Sequence, residues 1–123
     1  MTARLKAAYD AAVENTLDNG GGTFERNTLA PVHPTSGYAV GLHRGTFRSV
    51  SWAPDHLRSR LALAIAETRA TDCAYIGTWS HGDIIDVDPV AIVATLADAL
   101  ALARANGQHA VYSFAEDRTC SID

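Results

Sequence analysis

The sequence is short of lysine, of cysteine and of long apolar runs. Lys6 is the only lysine among ten basic residues, a bias that codon usage in a GC-rich genome produces without any demand for guanidinium chemistry. Cys73 and Cys120 are the only cysteines and form no Cys-x-x-Cys or Cys/His cluster. That excludes zinc-finger spacing and a redox pair, and it predicts free thiols. No stretch approaches the roughly 18 apolar residues of a membrane span. The first twenty residues carry Asp10, Glu14 and Asp18 and lack a continuous apolar core, so they do not read as a secretory signal. Gly-x-Ser-x-Gly, a phosphate-binding loop and Gly-x-Gly-x-x-Gly are all missing, and His33, His43, His56, His81 and His109 lack metal-ligand spacing. The expectation is a cytoplasmic protein with no membrane contact and no cofactor.

What is present is one domain's worth of chain. The 123 residues are 47% hydrophobic and 20% charged, enough to bury roughly two thirds of the unfolded surface without metals or disulfides. Fourteen acidic residues against ten basic ones give a formal net charge of −4, which argues against bulk attraction to nucleic acid or anionic membrane. The charge is unevenly spread: residues 43–69 carry +3 and residues 70–123 carry −6.

Apolar positions Leu5, Tyr9, Ala12, Val13 and Leu17 recur at helical spacing, predicting an amphipathic helix over residues 1–18 that stops at Asn19-Gly20-Gly21-Gly22. Residues 19–36, with Pro31 and Pro34, show no usable periodicity and read as a flexible connector to a core over residues 37–123. Tyr38 to Ser51 alternates around Arg44-Gly45 and reads as a β-hairpin with Tyr38, Val40, Leu42 and Phe47 on one face. A helix from Pro54 to about Ala70 follows, with Leu57, Leu61, Ala64 and Ile65 on one side. Ala74 to Val93 reads as a second hairpin bending at His81-Gly82, in which Pro89 marks an edge, a bulge or the strand's end. Past Pro89 two readings stand: a helix beginning there, or a continued Val90–Val93 strand with a helix capped by Thr95 and Asp98. The β-branched Val-Ala-Ile-Val run favours the second. Asn106-Gly107 closes that helix, and His109–Phe114 and a short strand ending at Ile122 complete the chain. The fold class is α+β, a mostly antiparallel sheet of two hairpins and a C-terminal strand covered by three helices.

The second hairpin carries the chemistry. With a His81-Gly82 bend, Trp79 lies opposite Ile84, Gly77 opposite Asp86 and Tyr75 opposite Asp88. Tyr75, Trp79, Ile84, Asp86 and Asp88 then share one surface, and Ile76, Thr78, Ile85 and Val87 share the other, the natural core face. Two large aromatics beside two carboxylates make an amphipathic surface of the kind enriched at protein interfaces. That surface either binds a host protein or closes a homodimer, unless the N-terminal helix or the connector covers it. Asp86, Asp88 and His81 also suggest a small metal-dependent hydrolase or nuclease, although alternation accounts for the carboxylates as a solvated strand face. Arg44, Arg48, Arg58 and Arg60 form a weaker nucleic-acid candidate unaccompanied by any recognised motif.

The stretches Ala74-Tyr-Ile-Gly-Thr-Trp79, Val87-Asp88 and Ala99-Leu-Ala-Leu-Ala-Arg104-Ala-Asn-Gly-Gln108-His-Ala-Val-Tyr112 resemble small uncharacterised proteins of actinobacterial phages and mobile elements. The resemblance spans residues 74–123. It implies a phage or mobile-element origin and an α+β module, and it transfers no catalytic residue. The expectation is a non-catalytic accessory protein that binds a host protein through the 74–88 hairpin.

Overall fold

In the computed structural model the described residues are 2–42, 53–67 and 73–122. The elements run α1 (Ala3–Asn19), β1 (Gly21–Glu25), β2 (Tyr38–Gly41), α2 (Pro54–Glu67), β3 (Tyr75–His81), β4 (Ile84–Val93), α3 (Leu96–Ala105), β5 (Ala110–Ser113) and β6 (Arg118–Ser121). The six strands form one antiparallel sheet in the order β1-β3-β4-β2-β5-β6. This is the α+β architecture that the element pattern predicts, with all three helices on one side of the sheet.

Helices α1 and α3 end where their sequences supply partners for otherwise unpaired backbone groups. The Thr2 hydroxyl accepts from Leu5 N at 3.1 Å to open α1. Gly20, at φ 79°, closes it in the left-handed region, where a Cβ would be strained, and its N–H reaches Thr16 O. Thr95 Oγ1 accepts from Asp98 N at 3.2 Å, so Thr95 caps α3 as predicted, and β4 does continue through Val90–Val93.

The helices divide the covered face into two clusters. Tyr9, Ala12 and Val13 of α1 and Leu57, Leu61 and Ala64 of α2 bury Phe24, Ile76, Ile85 and Val87 of the sheet. Ala99 and Ala103 of α3 pack on Val40 and Val111, flanked by Tyr38, Val93 and Cys120. Burial pushes the Tyr9 phenol pKa above its ordinary value. One polar contact crosses the first cluster: Thr16 Oγ1 donates to Ala12 O at 2.9 Å and lies 2.7 Å from Thr78 Oγ1. Because the single Thr16 proton is spent on Ala12, the Thr78 hydroxyl is the donor between them.

Three expectations are corrected. The stretch 19–36 holds a strand, β1, whose outer side is bridged back by Glu25 N to Ala30 O, Val32 N to Thr23 O and a Phe24–Pro31 bridge. Periodicity missed it because Phe24 is the one apolar residue in Gly-Gly-Thr-Phe-Glu. Pro89 is neither on an edge strand nor at a strand's end: β4 lies between β3 and β2 and runs four residues past it. Pro89 sits opposite Ile76 and accepts from Leu42 N at 2.8 Å, one residue beyond the last β2–β4 pair, Gly41–Val90. The ladder there therefore ends where the missing donor would have been needed. Finally, Tyr38 and Ala39 are flanked on both sides, by β4 and by β5, which leaves no room beside them for a hairpin partner. The remainder of that predicted hairpin, from His43 onward, lies outside the described residues.

Candidate functional site

The β3–β4 hairpin turns at Gly82-Asp83, with Gly82 at φ 62° in the first central position, where a type II′ turn requires glycine. Its pairing is consequently shifted by two residues from the expectation. Trp79 lies opposite Asp86, Gly77 opposite Asp88 and Tyr75 opposite Val90. A shift of two leaves every side chain on its own face, whereas a shift of one would have exchanged them. Ile76, Ile85 and Val87 are accordingly buried under the helices, and Tyr75, Trp79, Ile84, Asp86 and Asp88 occupy the opposite face, each half-buried.

That opposite face is strongly concave. Trp79 on β3 and Tyr112 on β5 are separated by β4 and β2, and through the registers Trp79–Asp86, Ala39–Ile92 and Ala39–Tyr112 they are also offset by six residues along β4. On a flat sheet they would stand on the order of 25 Å apart. Instead their ring centroids are 5.8 Å apart at 88°, an edge-to-face contact, and Tyr112 meets Phe114 the same way at 5.4 Å and 84°. Only a sheet rolled along that diagonal brings the two positions together.

Rolling the sheet shapes an open-mouthed cavity of about 970 Å³. Its floor is closely filled. A Cβ on Gly77 would come within 2.5 Å of Val90 Cγ2, and one on Gly41 within 2.8 Å of the Gln108 carboxamide oxygen. Its walls include Trp79, Asp86, Asp88, Tyr112 and Phe114, and the Val32-His33-Pro34 segment borders it. The Tyr112 hydroxyl donates to the Asp117 carboxylate. Asp117 sits at φ 49°, a left-handed conformation that aspartate and asparagine tolerate better than most residues. Arg118, which also borders the cavity, turns its Nε to Glu116 at 2.5 Å, and that carboxylate raises the Arg118 pKa above its ordinary value.

Of the residues singled out in sequence, Trp79, Asp86 and Asp88 line the cavity, whereas Tyr75 and Ile84 share the face outside it. The apolar face of the N-terminal helix packs on the other side of the sheet, but Asn15 and Asn19 at its end reach the cavity rim, and the stretch expected to be a connector borders the cavity through Pro31, Val32, His33 and Pro34. Sequence reasoning missed Tyr112, Phe114 and Asp117. Alternation in Ala-Val-Tyr-Ser points Tyr112 away from Val111, but nothing local says that it meets a residue 33 positions earlier.

No protein-family model, curated protein or solved structure matches the chain. The site must therefore be read from its own chemistry. Among the described residues no three His, Cys, Asp or Glu side chains are grouped as metal ligands would be, and the side chain of His81 lies outside the described residues. Both cysteines are free, and Cys73 donates to Tyr75 O at 2.8 Å. Among the described residues no helix is long and apolar enough to cross a membrane.

Of the arginine candidate, the two described members, Arg58 and Arg60, point in different directions. Arg44 and Arg48 lie outside the described residues. Arg58 pairs with Asp10 of α1 and, at 2.9 Å, with Asp55, so its guanidinium ties α2 to α1; those carboxylates, Asp10 foremost, raise its pKa. Arg60 leaves the same helix two positions on, about 200° around the axis.

Proposed function

We propose that the chain is a non-catalytic accessory protein of a phage or mobile element that binds a host protein in the concave face of its sheet. The observation that carries this reading is the contact between Trp79 and Tyr112 across two intervening strands. It gathers three half-buried aromatic rings and two strand carboxylates into one concavity on the side of the sheet that the helices leave open. Aromatic anchors in a concave, partly polar surface are the commonest makings of an interface hot spot.

Immobilised protein is expected to retain one stoichiometric partner from host extract. Trp79→Ala and Tyr112→Ala should each abolish that retention while shifting the thermal midpoint by only a few degrees. Retention unchanged by both variants overturns the reading. Concentration-dependent dimers lost in the same variants would assign the face to a second copy of the chain instead.

A further inference from the structure

Resting on the reading of the concave face as a protein-binding surface, we propose that its aromatic corner takes an arginine side chain of the partner, the guanidinium lying against the rings of Trp79 and Tyr112. Two rings at 88° with centroids 5.8 Å apart form the two walls of a corner. A flat cation can lie on one ring face while its edge meets the other wall, within the roughly 6 Å over which a ring quadrupole attracts positive charge.

The Tyr112 ring is prepared for that role. Its hydroxyl donates to the Asp117 carboxylate, and a hydrogen bond to an anion pushes electron density into the phenol, making the ring face more negative. The neighbouring Arg118 turns its Nε to Glu116 rather than to Asp117. Around the corner the described charged residues of the wall are Asp86, Asp88 and Asp117 against Arg118. Asp86 and Asp88 each hold an interaction of their own, so they enter only through the sign of their charge. Of the cationic side chains, guanidinium fits best. It is planar, it is less strongly hydrated than an ammonium, and it keeps its in-plane N–H donors free for oxygens at the rim while its face is stacked.

The probe is N-acetyl-arginine N-methylamide, titrated into the ¹⁵N-labelled full chain beside its citrulline and lysine counterparts. Saturable shifts are expected at the Trp79 indole and at the Gly77, Tyr112 and Asp117 amides with arginine. Lysine should bind several-fold more weakly, and citrulline should give none. Asp117→Asn, which suits the left-handed backbone, and Tyr112→Phe, which keeps the ring, should each weaken arginine binding about three- to tenfold. Equal shifts with citrulline or lysine, shifts remote from the two rings, or undiminished binding in both variants would overturn the proposal.

Two further outcomes separate this proposal from the one it rests on. If Trp79→Ala abolishes retention of the partner yet the arginine amide produces no shifts at the rings, the arginine proposal fails and the protein-binding reading stands. If the arginine amide binds at the rings but partner retention ignores Trp79→Ala, the protein-binding reading fails and the corner is a site for small guanidinium compounds.

Discussion

Along β4, Ile85, Val87 and Pro89 turn toward the helices and are fully buried, whereas Ile84, Asp86 and Asp88 turn the other way and stay half-buried. Over residues 84–89 one strand thus builds a dry face and a wetted one. Strand alternation decides which residues go to which side, but it does not decide which side is covered. That depends on where the three helices pack, and on the covered side two clusters are closed by α1 with α2 and by α3. Among the described residues the opposite side is closed by the curvature of the sheet, with the 31–34 and 108–109 segments at its rim. The contrast teaches that burial on the helix side comes from a second layer, and that partial burial on the concave side comes from the sheet folding over itself and from the short segments along its rim.

The comparison is tested most severely at the centre of the covered face. Leu61 is wholly inaccessible among Leu57, Ile85 and Val87, so Leu61→Ala should cost about 2–5 kcal/mol in urea unfolding. A loss below about 1 kcal/mol would mean that α2 is not close-packed on the sheet. Next comes the polar link beneath α1. Thr16→Val removes the acceptor of the buried Thr78 hydroxyl and should cost about 1–3 kcal/mol. Adding Thr78→Val should recover part of that loss, and a double-mutant cycle measures the coupling. If the two losses simply add, the hydroxyls do not interact.

On the concave face the tightest point is Gly77. Gly77→Ala should drive Val90 from its rotamer at about 1–2 kcal/mol, and Val90→Ala in the same chain should relieve the clash. An unaffected single variant would show that the floor is looser than the 2.5 Å approach implies. The smallest effect is at the sheet margin. The Glu25 carboxylate accepts from Thr28 Oγ1 at 2.5 Å and from the amides of Asn27 and Thr28, and these bonds, the Thr28 hydroxyl foremost, lower its pKa. A depressed folded-state pKa stabilises above the unfolded value, about 4.3, and that contribution is lost as pH falls through the folded value. Glu25→Gln should flatten the decline of the thermal midpoint between about pH 5 and 3. An identical acid limb in both proteins would place Glu25 outside the fold's titration.

Much of this was legible in sequence, and the parts that were not share a physical cause. Alternation over Tyr75–Val87 assigned the correct faces even with the bend placed one residue early, because the error in pairing was even. The cap at Thr95 was readable because capping is settled within four residues. β1 was not, since Gly21, Gly22 and Thr23 carry no apolar signal and the strand is specified by its pairing with β3. The meeting of Trp79 and Tyr112 was not either. It depends on the roll of the whole sheet, which no window along the chain contains. Trp79, Asp86 and Asp88 were therefore found from the hairpin, and the other wall of their cavity was found only in three dimensions.

The two margins of the sheet differ in a way that bears on self-association. The outer side of β1 is bonded to the returning 30–32 segment, while among the described residues nothing is paired with the outer side of β6. Among the described residues, two molecules meeting at β6 would turn outward β1 margins whose Thr23 and Glu25 backbone groups are already bonded to the 30–32 segment, with Pro31 lacking a donor there, so such pairing favours a closed couple over a fibre.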